Sequence, residues 1–127
     1  NTITDVERAA DHAENIAEQA QYAQDHDISF SEIGQDDLKK ISNKVMESFE
    51  ASIDAFENND LDAVVRTAHL EDQVDEMEED MRETHILRLS SGDCVPQAGV
   101  IFLDVISDLE RISDHADNVA GYVKTMI

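Results

Sequence analysis

DLERISDHADNVAG, residues Asp108 to Gly121, repeats a phrase already met near the start of the chain, DVERAADHAENIAE, residues Asp5 to Glu18. The two lie 103 positions apart and agree at eight of fourteen places, namely Asp, Glu, Arg, Asp, His, Ala, Asn and Ala. Matching Arg8 with Arg111, His12 with His115 and Asn15 with Asn118 exceeds what two amphipathic segments share cheaply, so we read an internal repeat. Apolar residues return at three and four in both copies: Val6, Ala9, Ala13 and Ile16, then Leu109, Ile112, Ala116 and Val119. That period belongs to an α-helix.

The same period extends outward from both phrases. A first helix is expected from about Ile3 to Asp25, and its many alanines imply close approach to a neighbour. Residues 26–35 break the pattern and end near Gly34. Asp36 or Asp37 is then expected to cap a second helix, because a carboxylate accepts from the free amides of a first turn. Leu38, Ile41, Val45, Phe49, Ile53 and Phe56 would form its inner stripe. Asn58-Asn59-Asp60 reads as a tight turn with Asp60 as the next cap, and so short a connection joins antiparallel neighbours. The third helix, about Leu61 to Leu89, would bury Val64, Ala68, Leu70, Val74, Met77 and Met81. Gly92 suits the left-handed position after its end, and Pro96 falls in the one helical turn that tolerates proline. Few Gly and Pro agree with this reading. The expectation is an all-α, antiparallel up-and-down bundle of four helices in one domain.

The polar members of the repeat carry the functional reading. At about 100° per residue, Glu110, Asp114 and Asn118 fall opposite the apolar stripe of the last helix, each about 6 Å further along the axis. Glu7, Asp11 and Asn15 do the same on the first helix. Each helix should therefore turn a ladder of oxygen ligands outward. Like charges four apart disfavour a helix by roughly 0.2–0.5 kcal/mol unless something positive intervenes. Arg8 and Arg111 lie beside the ladders, and a bound divalent cation would offset more. Carboxylate and amide oxygens suit magnesium, manganese or iron, with zinc also in range. A solvated acidic face is the alternative. Glu71 and Asp75 repeat the spacing on the third helix, but a helix this acidic matches it readily. His12 and His115 are turned from the ladders, toward pairing with neighbouring acids or a partner surface; His26, His69 and His85 read as surface or boundary residues.

The phrase E-R-x-x-D-H-x-x-N-[IV]-A in a long helix resembles the phosphate-uptake regulator family, PhoU, whose helices carry a Glu/Asp-x-x-x-Asp metal motif. Arg88 to Ala120, RLSSGDCVPQAGVIFLDVISDLERISDHADNVA, looks like the closing segment of the PhoU-like domain attached to bacterial sodium/phosphate cotransporters. An Arg-Leu, a Gly-x-Cys and a Leu-Glu-Arg-x-x-Asp-His phrase follow there in this order. The resemblance implies one three-helix unit over 36–127 and the last helix of a preceding unit over 1–25. It also implies a regulatory domain of phosphate transport at the cytoplasmic face of the membrane. Its partner would be the membrane-embedded part of the transporter, and its metal motifs would be Glu7 with Asp11 and Glu110 with Asp114. A free-standing PhoU regulator and a structural bundle dimerising through the alanine-rich first helix are the alternatives.

Composition narrows the classes further. Thirty acidic against nine basic residues give a net charge of -21, which repels phosphate backbones and anionic headgroups and disfavours nucleic acid or membrane surface as partners. The charge could also serve solubility alone. Cys94 excludes an internal disulfide, and no cationic neighbour activates it. No run approaches the ~20 apolar residues of a membrane span, and the start at Asn1-Thr2-Ile3 reads as that of an excised fragment. Catalysis is not expected. The residues three before the five histidines are Ala9, Ala23, Arg66, Arg82 and Ile112, so no Glu-x-x-His of a diiron site occurs. No nucleophile elbow or phosphate loop occurs either.

Overall fold

Pro96 opens the last of four helices, and around that helix the other three are arranged. The computed structural model describes residues 1–92 and 95–126. Its helices are α1 (Thr2–Asp25), α2 (Glu32–Asn58), α3 (Leu61–Ser90) and α4 (Pro96–Met126), and no strand occurs among the described residues. The expected all-α up-and-down bundle is what forms. The Gly-x-Cys stretch read from the sequence lies, at Asp93 and Cys94, outside the described residues.

Local chemistry explains the ends. The Asn1 side chain accepts from the Thr4 amide at 3.0 Å and starts α1. Asp27, with φ of 53°, then stops it: the Ile28 amide donates to the Ala23 carbonyl at 2.8 Å and the Asp27 amide to that of Gln24. This six-to-one and five-to-two pair satisfies carbonyls that a helix end leaves free. Asp60 caps α3 as expected, accepting from the Asp62 and Ala63 amides. Gly92 takes the left-handed conformation beyond α3, with φ of 79°.

Helix α2 departs from expectation at its start. Neither Asp36 nor Asp37 is the cap; Ser31 is, accepting from the Gly34 amide at 3.1 Å. Gly34 therefore sits inside the first turn rather than ending the loop. A methyl group there would meet the Ser31 hydroxyl at 3.3 Å and Phe30 at 3.6 Å, so the missing side chain makes room for the turn. The Arg88 guanidinium of α3 donates to the same Ser31 hydroxyl and ties the two helices at this end.

The inner faces depart in a related way. Helix α2 buries Ile41 and Val45 but also Ser48, Ala51, Ser52 and Ala55, while Ile53 and Phe56 are exposed. Small residues allow close approach, and the Ser48 and Ser113 hydroxyls meet at 3.3 Å between α2 and α4. On α3, Ala68 is exposed and Thr67 takes its place, its hydroxyl donating to the Ala63 carbonyl. His85, expected near the surface, is buried and stacks on Phe102 with ring centroids 4.3 Å apart. A ring beside a ring suits its apolar edges.

Helix α4 packs against α1, α2 and α3, whereas α1 packs against α4 alone among the described helices. Ion pairs and buried neighbours place α1 antiparallel to α4, so the two repeated phrases face each other. His12 Nδ1 lies 3.0 Å from Asp108 Oδ1, and His115 Nδ1 lies 2.8 Å from Asp5 Oδ1. Each histidine thus meets the first aspartate of the other copy, and the two imidazoles stack at 5.7 Å between centroids. The pairs are related by a pseudo-two-fold axis that the repeat itself creates. They are not equally buried: Asp5 is 4% exposed, whereas the Asp108 side chain is 17% exposed. His115→Ala is accordingly expected to cost about 1–3 kcal/mol, because it removes a partner of a buried carboxylate. His12→Ala should cost less than His115→Ala, and urea denaturation of both variants would read the difference.

Candidate functional site

Carboxylates gather where the middles of α3 and α4 cross. Glu71 and Asp75 stand one turn apart on α3, flanked by the buried Leu70 and Val74; Glu110 and Asp114 stand one turn apart on α4, beside the buried Leu109 and Ser113. Because the apolar neighbours hold the helices together, the carboxylates next to them are drawn to the rim of the same seam. One oxygen from each of Glu71, Asp75, Glu110 and Asp114 lies within 4.8 Å of all the others, and all four residues are half-buried.

This is a costly arrangement for a bare chain. None of the four forms an ion pair with a cationic side chain among the described residues. Asp75 Oδ1 is sealed from solvent and meets no hydrogen-bond partner among the described residues. Burial first, then the facing Asp114 and Asp75, pushes the Glu71 carboxyl up to about 9. Glu110 is pushed up to about 8 by burial and by Asp75 and Asp114. Asp117, one turn on, is raised by burial and by Asp72, Asp114 and Asp75. Like charges so close cannot all ionise.

The donor set fits a metal ion. Hard cations hold oxygen at about 2.0–2.6 Å, so opposite ligands stand roughly 4–5 Å apart, which is the span of this cluster. Oxygen-only donors without thiolate or imidazole suit magnesium, manganese or calcium, and iron or zinc at carboxylate sites. An orphaned, sealed carboxylate oxygen is what such an ion would satisfy.

The residues singled out from the sequence separate into two groups. Glu110 and Asp114 join the cluster, but they face α3 rather than the outside, a correction with a simple cause. Helix α4 is enclosed by three helices, so the side opposite its apolar stripe is itself an inter-helix seam. Glu7, Asp11 and Asn15 are exposed on α1, and no third ligating acid joins Glu7 and Asp11 among the described residues. Asn118 is directed elsewhere: its amide donates to Asp5 Oδ1 at 3.1 Å. Glu71 and Asp75, whose spacing on so acidic a helix the sequence alone does not separate from chance, complete the cluster. The signal that marks them is their place beside Leu70 and Val74, apolar residues that must face a neighbour.

A family model provides independent evidence: the PhoU domain matches residues 38–123, which takes in α3, the cluster and most of α2 and α4. The chain belongs to the PhoU domain family. It is also 29% identical over 119 residues to the phosphate-specific transport system accessory protein PhoU homolog 1 of Thermotoga maritima. That similarity covers 94% of this chain and 50% of the relative, so the chain spans about half the length of the curated protein it matches. No solved structure matches it. The four carboxylates all lie inside the part matched as PhoU, whereas Glu7, Asp11 and Asn15 lie before it. No helix of the described PhoU chain is long and apolar enough to cross a membrane.

Proposed function

We propose that this chain is a non-catalytic regulatory unit of a phosphate transport system that holds a divalent cation between α3 and α4. One observation carries the site: the four half-buried carboxylates meet within 4.8 Å without an ion pair to a cationic side chain among the described residues. Family membership and the printed name of the Thermotoga maritima relative support the phosphate-transport role. The order Arg88-Leu89, Gly92-Asp93-Cys94, Leu109-Glu110-Arg111, Asp114-His115 favours the domain of a sodium/phosphate cotransporter. Its partner would then be the membrane-embedded part of that transporter, met at the cytoplasmic face through basic loops. The length of the relative favours a second reading, in which the chain is half of a free-standing PhoU regulator.

Glu71, Asp75, Glu110 and Asp114 would hold the ion, which supplies the positive charge that the seam lacks. Without that charge, protons on Glu71 and Glu110 relieve the crowding; with it, all four oxygens are free to remain ionised. A cation site that couples α3 to α4 sets how firmly the three-helix unit is closed, and closure is a property that a transporter loop can read. Glu7, Asp11 and Asn15 would complete a comparable site only if another helix brought further ligands to α1. Binding, not turnover, is the activity proposed, in keeping with the accessory role named for the Thermotoga maritima relative.

The test is metal content. The intact protein, purified without chelator, is expected to carry about one equivalent of iron, manganese, zinc or magnesium per cluster. Glu110→Gln with Asp114→Asn should remove it while circular dichroism stays unchanged, and Glu71→Gln with Asp75→Asn should do the same. Equal metal content in all three proteins would end this reading.

A further inference from the structure

We infer that Asp5 and His12 of α1 are positioning residues for the cation site: across the seam they fix the rotation of α4 that aims Glu110 and Asp114 at α3. The inference rests on the cation reading above. It starts from the members of the repeated phrase that the cluster leaves unused. Glu110 and Asp114 join the cluster, whereas Asp108 and His115 do not. These two instead meet His12 and Asp5, at 3.0 and 2.8 Å. Each cluster carboxylate of α4 therefore has a contact to α1 close beside it, Asp108 just before Glu110 and His115 directly after Asp114.

The turn around Asp114 shows what such a contact does. Ser113, Asp114 and His115 follow one another, and at about 100° per residue they leave α4 in three directions. The Ser113 hydroxyl meets that of Ser48 on α2 at 3.3 Å, one Asp114 oxygen joins the cluster with α3, and the His115 ring reaches α1. With the residues on either side of it held by two other helices, Asp114 is left facing α3. The requirement is strict. A helix with its side chains is about 10–12 Å across, so a turn of ~20° about its axis moves a carboxylate by about 2 Å. Metal–oxygen distances tolerate only about 0.2 Å. Asp5 is well placed to resist such a turn, being 4% exposed and also accepting from Asn118, one turn beyond Asp114, at 3.1 Å. Outer contacts of this kind orient the ligands of metal sites generally. The phrase D-x-E-x-x-x-D-H then has a use for each polar member on α4: its Glu and second Asp offer oxygens, and its first Asp and His lock onto the other copy.

Manganese affinity of the full-length protein provides the test, read by electron paramagnetic resonance at one pH and at a temperature where circular dichroism shows each variant folded. Asp5→Ala is expected to weaken binding at least fivefold, although Asp5 is not a member of the cluster. Asp5→Asn keeps an oxygen for His115 and should bind within twofold of the wild-type protein. His12→Ala should weaken binding about threefold. Removing a group that can carry positive charge would by charge alone strengthen cation binding, so this loss has the sign that only positioning gives. Equal losses in Asp5→Ala and Asp5→Asn would trace the effect to charge and overturn the inference. Unchanged or tighter binding in His12→Ala would overturn it as well, and that variant decides alone if Asp5→Ala does not fold. In both cases the wild-type protein still binds manganese, so the cation site itself stands. A wild-type protein that binds none would remove the site and the inference together.

Discussion

Phe102→Ala is expected to destabilise the fold by about 3–5 kcal/mol, the range for truncating a buried aromatic residue to alanine. Phe102 of α4 is fully buried, stacks on His85 of α3 and lies 4.0 Å from where a side chain at Gly34 of α2 would begin. A cavity at this point has little means of collapse, because Ser31 and Arg88 already pin the same ends of α2 and α3. Small domains are stable by only about 5–15 kcal/mol, so a loss of this size should lower the urea midpoint steeply. Phe102→Leu keeps most of the volume and should cost roughly 1 kcal/mol. A small effect of Phe102→Ala would mean that α4 is not the pivot of the packing.

The position of that pivot is what the sequence conveyed least well. Helix number, direction and most ends follow from period, Asp60, Gly92 and Pro96, because these signals are local and each has its own physical cause. The start of α2 did not follow: two aspartates offered a good cap, but the helix begins earlier, where the Ser31 hydroxyl accepts from the Gly34 amide. Nor did the inner face of α2, since a stripe containing Ile53 and Phe56 outweighs Ser48 and Ser52 on any hydrophobic scale. Close packing prefers the small residues, and that preference is a tertiary one. The site was half legible for the same reason. Glu110 and Asp114 stood out through the repeat, whereas Glu71 and Asp75 needed knowledge of which side of α3 meets α4. His12 and His115 were expected to pair with acids and do, but that their partners are each other's Asp5 and Asp108 becomes visible only once the repeats lie antiparallel.

Stability of the metal-free chain should fall as pH rises from about 6 to 9, and a divalent cation should reverse that slope. Glu71 and Glu110 have folded-state values of about 9 and 8, above the ordinary 4.5, so the folded chain binds more protons than the unfolded one between these limits. Stability therefore declines with pH across that window: the contribution of the protonated forms is complete below 4.5 and lost as pH passes 8 to 9. Asp117, also raised, acts in the same direction. Asp5 acts at the other extreme. Burial pushes its carboxyl up, but hydrogen bonds from His115, Asn118 and Tyr122 outweigh that and hold it below the ordinary 3.8, so its contribution is lost only as pH falls below that value. The two effects do not overlap, and the neutral-to-alkaline slope belongs to the α3–α4 seam. A cation displaces the shared protons, so its affinity should climb with pH. At a hundred times its dissociation constant it would add about 2.7 kcal/mol, a rise in melting temperature of roughly 10 °C for a chain of this length. Glu71→Gln with Glu110→Gln should flatten the metal-free slope and abolish the response to manganese together, because both come from the same four oxygens. A flat metal-free profile from pH 6 to 9, with no response to manganese or magnesium, would mean that the carboxylates are solvated singly and do not share a site.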